Sequence, residues 1–298
     1  MHAPVARPLP SRPLARPPAR VQQGSPAGLR SVCAWPLAVV GALLAGQALM
    51  PRSAHAAGTG LQPKATTVDL LASGGRLSAG LGSTGAVSLR GVSRLDNGDL
   101  LRGELLRERK FGETGGIAGL GYTRQIHPDH ALTATVSRGQ GGLSWARMRG
   151  DLELASTWGP ARNLVTRMAV YRARYDSQRS DTGLRLGLAV YMPGGLALEG
   201  GVTYNRSQPG SVGTAMPFVA ATLGQEGDRI VSLRVAHGRE GWQPIGEGLS
   251  VQDFTSTTVG LNWRQWLASD WGVLAQAEYY RNPTYHRTTL GAGLFGQW

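Results

Sequence analysis

The 298-residue chain has one cysteine, Cys33, and it lies in a segment that reads as an export signal. Without it the mature chain can form neither a disulfide nor a cysteine-based metal or redox centre. Beyond residue 56 the sequence has no apolar run that could cross a bilayer as a helix, which takes about 20 residues. Long stretches of helical periodicity are also scarce. No Gly-Lys-Ser/Thr follows Gly115-Gly116, so these glycines do not make a phosphate loop. The histidines of the mature part, His127, His130, His237 and His286, are scattered rather than spaced as metal ligands. No cofactor and no metal is expected.

Acid is missing from the first 56 residues, which carry six of the 31 basic residues and none of the 19 acids. Removing them leaves 25 bases against 19 acids, so the net charge falls from +12 to near +6. The basic balance therefore belongs largely to the N-terminal segment, and nucleic acid is not an expected partner. That segment runs from Arg7, Arg12, Arg16, Arg20 and Arg30 into an apolar stretch at 32–50, then Pro51 and Ala54-His55-Ala56. A basic region, an apolar region and a small-x-small box form a secretory signal cleaved after Ala56. An uncleaved N-terminal anchor is the alternative. The expected organisation is a signal at 1–56, a short periplasmic lead at 57–65 and a folded part at 66–298.

What fills 66–298 is period-two alternation, broken by Gly, Pro, Asp and Asn. In the last segment Leu290, Ala292, Leu294, Gly296 and Trp298 share one face, and Arg287, Thr289, Gly291, Gly293 and Gln297 the other. Similar segments recur upstream, for example Val259, Leu261 and Trp263 against Thr258, Asn262 and Arg264. A β-sandwich would give a similar pattern. Three features favour an all-β transmembrane antiparallel up-and-down barrel of about 14 strands, with 12–16 possible. Short turns at 159–161, 193–195, 226–228 and 268–270 alternate with longer polar stretches at 176–182, 207–214 and 239–253. Trp158, Trp271 and Trp298 lie near the short turns, and Tyr175, Tyr204, Tyr279 and Tyr280 near the long ones, as in interfacial girdles. The chain ends in an aromatic residue on an alternating strand. Such a strand is what the barrel-assembly machinery reads. The location expected is the outer membrane of a Gram-negative cell.

If apolar residues face lipid, charged residues face the lumen. The main candidates for lining it are Asp151, Glu153, Arg167, Arg185, Glu199, Arg234, Arg264, Glu278 and Arg287, joined by Arg90, Arg94, Arg102, Glu104 and Glu108. Buried charges need partners or water, so this set either braces the wall or lines a wet pore. Trp242, in the 239–253 stretch, is a candidate sugar or partner contact. Arg172 and Arg174 fall on the outward face, where a guanidinium pairs with lipopolysaccharide phosphate. Outer-membrane lipid and lipopolysaccharide are thus expected partners. No catalytic residue is assigned, because neither His237 nor His286 sits in a spacing that demands catalysis.

The signal, the many-stranded pattern, the segment Ala236-His237-Gly238-Arg239-Glu240 ahead of a long outer loop, and the ending at 287–298 together resemble the YaiO-family outer-membrane proteins, over about residues 66–298. That family is similar to the barrel domains of exporters for cellulose and poly-N-acetylglucosamine. The resemblance implies passage or surface handling of a polysaccharide. Those exporters carry a long helical-repeat scaffold before the barrel. The short lead at 57–65 has no room for one, so a periplasmic scaffold would be a separate protein. Three functions stay open: a channel for a carbohydrate or exopolysaccharide, a structural or adhesive barrel with a plugged lumen, and a barrel hydrolase.

Overall fold

The computed structural model describes residues 66–298 apart from 143, 177, 247 and 248. The expected signal and periplasmic lead lie outside the described residues. Fourteen strands follow in order: β1 (Thr66–Leu77), β2 (Ser83–Arg94), β3 (Leu100–Lys110), β4 (Glu113–His127), β5 (His130–Gly141), β6 (Met148–Trp158) and β7 (Leu164–Arg174), then β8 (Ser180–Met192), β9 (Leu196–Gln208), β10 (Val212–Gly224), β11 (Arg229–Gly246), β12 (Leu249–Trp266), β13 (Trp271–Arg281) and β14 (His286–Gln297). Each pairs antiparallel with its neighbours, and β1 closes on β14 from Thr67↔Gln297 to Leu77↔Arg287. The barrel expected from alternation is therefore the one found, with the middle strand number of the range.

Closure explains how a barrel without cysteine survives in lipid. Each backbone N–H and C=O is answered by the next strand, and no edge remains. The alternation places Leu70, Leu105, Leu120, Val136, Leu152, Val170, Leu188, Val219, Leu261 and Leu290 outward, each 43–63% exposed to the surroundings. In hydrocarbon such a side chain contributes roughly 1.5–3 kcal/mol relative to water. Outward aromatics sit near the end that carries both termini, here the base: Trp158, Trp263, Trp271 and Trp298. Tyr204 and Tyr279 point outward near the opposite end, the mouth.

Two sequence expectations need correction. Tyr175 and Tyr280 belong to no girdle: both are buried, Tyr280 almost completely. The long mouth loops also shrink. The stretch at 207–214 reduces to a link of residues 209–211, and 239–253 is strand rather than loop. The β11–β12 hairpin stays paired to Gly246↔Leu249. Links at the mouth are about as long as those at the base; the difference is that β11 and β12, at 18 residues each, are longer than the other strands.

Candidate functional site

Parity fixes which residues enter the barrel. Asp151, Glu153, Arg167, Arg185, Glu199, Arg234, Arg264, Glu278 and Arg287 all lie on the inward face, alternating with exposed apolar neighbours such as Leu152, Met168, Leu186 and Leu198. Their cross-strand partners are small. Arg167 lies between Ala155 and Gly187, Glu199 between Ala189 and Ala220, and Arg234 between Ala220 and Gly260. Long side chains can therefore reach into the lumen without colliding with the wall.

Most of these charges are held in pairs. Arg264 donates to Asp69, Arg90 to Glu104 at 2.9 Å, and Arg287 to Glu278 at 2.6 Å. Asp151 accepts from two directions, at 2.8 Å from Arg149 and at 2.9 Å from Arg185. Lys110 stands 3.0 Å from Glu108. Aromatic faces add a second support: Arg149 lies 4.3 Å from the Tyr171 ring centre, Arg264 4.2 Å from Phe295 and Arg234 3.5 Å from Phe218. A desolvated cation–ring contact is worth about 2 kcal/mol. These groups brace the wall.

A second set forms no ion pair, although Arg234 stacks on Phe218 and Arg167 hydrogen-bonds the Tyr191 side chain. Arg102, Arg167 and Arg234 form no ion pair within 4 Å among the described residues, and neither do Glu153 and Glu199. Arg102 Nη2, Arg167 Nε and Nη2, and Arg234 Nε are buried without a protein partner. The set comes from β3, β6, β7, β9 and β11. These guanidinium groups keep N–H donors available for a further hydrogen-bond partner.

The mouth has the opposite character. Leu77, Phe111, Ile245, Val251, Phe254, Tyr280 and Tyr285 form one buried apolar cluster, contributed by β1, the β3–β4 turn, the β11–β12 hairpin and the β13–β14 segment. Phe111 meets Tyr285 edge-on, with ring centres 5.5 Å apart. A polar lock fastens the hairpin to this cluster. The Gln243 carbonyl accepts from the Tyr280 hydroxyl at 3.0 Å and from the Asn282 amide at 2.9 Å, while its amide donates to the Tyr285 hydroxyl. Beneath it, Glu240 accepts from Ser256 and from Tyr280. Asp253, in β12 of this hairpin, has a positive φ of 48°.

Sequence reasoning overlooked this lock. Gln243, Asn282 and Tyr285 sit among Gly, Pro and polar residues and look like ordinary loop; only their spatial convergence marks them. Trp242 is not in a loop. It lies in β11 opposite Gln252, half-buried, with its indole nitrogen unpartnered. His237 and His286 are exposed: His237 is 2.8 Å from the Thr257 hydroxyl, and His286 lies against Tyr279. Arg172 and Arg174 are exposed on the outward parity of β7.

Residues 66–243 match the family model described as the YaiO membrane beta barrel domain. No curated protein matches the chain. Among solved structures, the CymD monoaromatic hydrocarbon channel aligns with a TM-score of 0.55 at 7% identity, covering 80% of this chain and 89% of that one. The outer membrane protein Omp33 of Acinetobacter baumannii aligns at 0.48 and 11% identity, over 80% and 100%. A bacterial polysaccharide outer membrane secretin aligns at 0.47 and 9% identity, over 80% and 100%. At these identities the likeness concerns the fold, which is that of an outer-membrane barrel.

Proposed function

Because the chain belongs to the YaiO membrane β-barrel family and so to the outer membrane, we propose that it works as a channel for a carbohydrate, an exopolysaccharide being the favoured cargo. The observation that carries this reading is the inward polar set without ion pairs, Arg102, Glu153, Arg167, Glu199 and Arg234, whose three arginines keep unpartnered N–H groups. A wall that needed only bracing would pair these groups, as it pairs Asp69 with Arg264. Left facing the interior, guanidinium and carboxylate groups can exchange hydrogen bonds with sugar hydroxyls as a chain moves past. Mixed signs suit a neutral or weakly charged polymer, since a single sign would retain an ion rather than release it.

Single-channel recording in planar bilayers tests this reading. Folded protein should give discrete conductance steps, and added oligosaccharides should interrupt them. Neutralising Arg167 and Arg234 together should change both ion selectivity and sugar block. A chain that gives no steps, either natively or with the Gln243 lock removed, would not be a channel.

A second reading, a structural or adhesive barrel with a plugged lumen, draws on the mouth cluster. The Phe111–Tyr285 contact joins links that are separated by four strands around the wall. If that cover never opens, the functional surface is the exterior of the mouth. Loss of cell-surface adhesion or partner capture on replacing Trp242, with the conductance of the folded protein already zero, would favour this reading.

A further inference from the structure

The charges outside the barrel follow a rule of their own. Odd-numbered strands run from base to mouth, and each of the seven carries an outward arginine toward its mouth end: Arg76 on β1, Arg107 and Arg109 on β3, Arg138 on β5, Arg172 and Arg174 on β7, Arg206 on β9, Arg239 on β11 and Arg281 on β13. All nine are exposed. Apart from Arg239, which sits in the longer hairpin, each lies within the last four residues of its strand. Acids do not share this surface. Among the described strands only Asp253 projects there, and it is paired with Arg239. The acids of the links at the base tell the same story in reverse: Asp96, Asp99, Asp129, Glu226, Asp228 and Asp270 all lie there.

A charged side chain on the lipid face costs about 2–4 kcal/mol at the bilayer midplane and about 0–1 near the interface. The arginines occupy only the inexpensive level, but cost alone does not explain why nine of them encircle the mouth while the outward strand positions at the base carry only Arg124 and Arg229. An encircling belt of guanidinium groups requires anions at that height. Neighbouring outward positions leave space for them. On β7, β8 and β9 one pairing row reads Arg172, Thr182, Arg206, so the backbones of two arginines stand about 10 Å apart across a short hydroxyl residue. Arg174 lies one outward position closer to the rim. Immediately beside the row, the outer wall holds an open depression of about 480 Å³, lined by Thr182, Leu184, Tyr204, Arg206, Ala215 and Arg239. Its lining runs from cationic above to apolar and aromatic below.

We propose that the wall over β7–β11, centred on Arg172, Arg174 and Arg206, is a binding site for the phosphorylated headgroup of lipopolysaccharide, and that the arginine belt fixes the mouth in the outer leaflet. One headgroup carries two phosphates on a stiff sugar pair, above acyl chains. The row offers two forks that can each hold a phosphate by paired N–H···O bonds. The Leu184 and Tyr204 surface below meets the start of the chains. An ordinary anionic phospholipid has one phosphodiester and would engage only one fork. This assignment does not depend on whether the lumen conducts.

The experiment uses the folded native chain in detergent, freed of lipid and then offered bisphosphorylated lipid A, dephosphorylated lipid A and phosphatidylglycerol, with retained lipid read by native mass spectrometry. Retention of the bisphosphorylated lipid over both others is expected. Replacing Arg172, Arg174 and Arg206 by serine should weaken it on the order of a hundredfold, since each basic residue near an anionic surface contributes about fivefold. Replacing the outward base arginines Arg124 and Arg229 should leave it unchanged. Lysine at the three mouth positions keeps the charge while removing the fork, and should give an intermediate loss; this variant decides the matter if the serine variant does not fold. Equal retention of phosphatidylglycerol, or undiminished lipid A retention in both mouth variants, would overturn the assignment.

Discussion

A single terminal nitrogen of Arg264 lies 2.6 Å from each carboxylate oxygen of Asp69, joining two residues 195 positions apart in sequence. Asp69 is on β1 and Arg264 on β12, so the contact spans the interior past β13 and β14 rather than following the wall. Both side chains are largely buried, and the guanidinium also stacks on Phe295 of β14. Three strands beside the closing seam are tied together at one point.

Removing one partner of such a pair strands the other. Asp69→Asn should destabilise the barrel by about 3–5 kcal/mol, because Arg264 would keep its charge in a buried place. Replacing both residues by apolar ones of similar volume should cost much less. Urea unfolding in micelles, followed by the heat-modifiable shift on gels, measures both; equal losses for the single and double changes would exclude the pair as the cause.

Gly183 gives a packing test. A Cβ there would meet the Tyr171 ring at 2.3 Å, so the ring lies across the glycine. The Tyr171 hydroxyl continues to Asn205 at 2.8 Å, and Arg149 covers the ring from another side. Gly183→Ala should lower stability by about 1–3 kcal/mol, the usual cost of overfilling a packed site. Gly103, with nothing near its absent Cβ, should accept alanine without comparable loss. Melting temperatures of the two variants would distinguish packing from a general intolerance of strand substitution.

The lock at the mouth should restrict passage. Gln243→Ala removes one acceptor shared by Tyr280 and Asn282 and one donor to Tyr285. Net loss is about 0.5–1.5 kcal/mol for each bond, so the hairpin should loosen while the barrel stays closed. Faster hydrogen exchange in 240–254, together with larger or longer conductance steps, is expected. A change in exchange without any change in conductance would separate the cover from the path.

Acid should act on the mouth links through Asp176. The hydrogen bond from Arg147, 2.7 Å from Arg147 Nε to Asp176 Oδ1, together with the arginine charge, holds the Asp176 carboxyl below its ordinary value of 3.8. A carboxyl shifted downward stabilises the folded state at pH above the ordinary value and loses that contribution as pH falls through the lowered one. Protease nicking within 142–147 and 175–179 should be flat from pH 7 to 5 and rise only in stronger acid. Both partners are 43% exposed, so the effect is small, under about 1 kcal/mol, and weaker in high salt.

Lipid makes the wall readable from sequence and leaves the mouth obscure. A residue on a spanning strand has two choices, hydrocarbon or interior, and Leu290-Gly291-Ala292-Gly293-Leu294 states its choice locally. Residues 239–253 obey no such division, because their surroundings come from distant chain. Gly238, Gly241 and Pro244 look like breakers, yet they lie in β11. Gly238 is needed where a Cβ would lie 2.4 Å from the Ala215 carbonyl of β10, and Pro244 sits where the register shifts. The same locality explains why individual lumen residues could be assigned to a face, while the division into paired and unpaired groups could not. Whether Arg167 meets an acid depends on what β6 and β8 place beside it.

The pairing of β1 with β14 also governs how the molecule comes into being. The two ribbons that complete the cylinder are the first and last to leave the ribosome, so every earlier arrangement of the chain has two raw margins ready to join a neighbour. The polypeptide must therefore be escorted open across the periplasm and sewn shut only on arrival. Its slowest step should be that final stitch, made between residues more than two hundred positions apart.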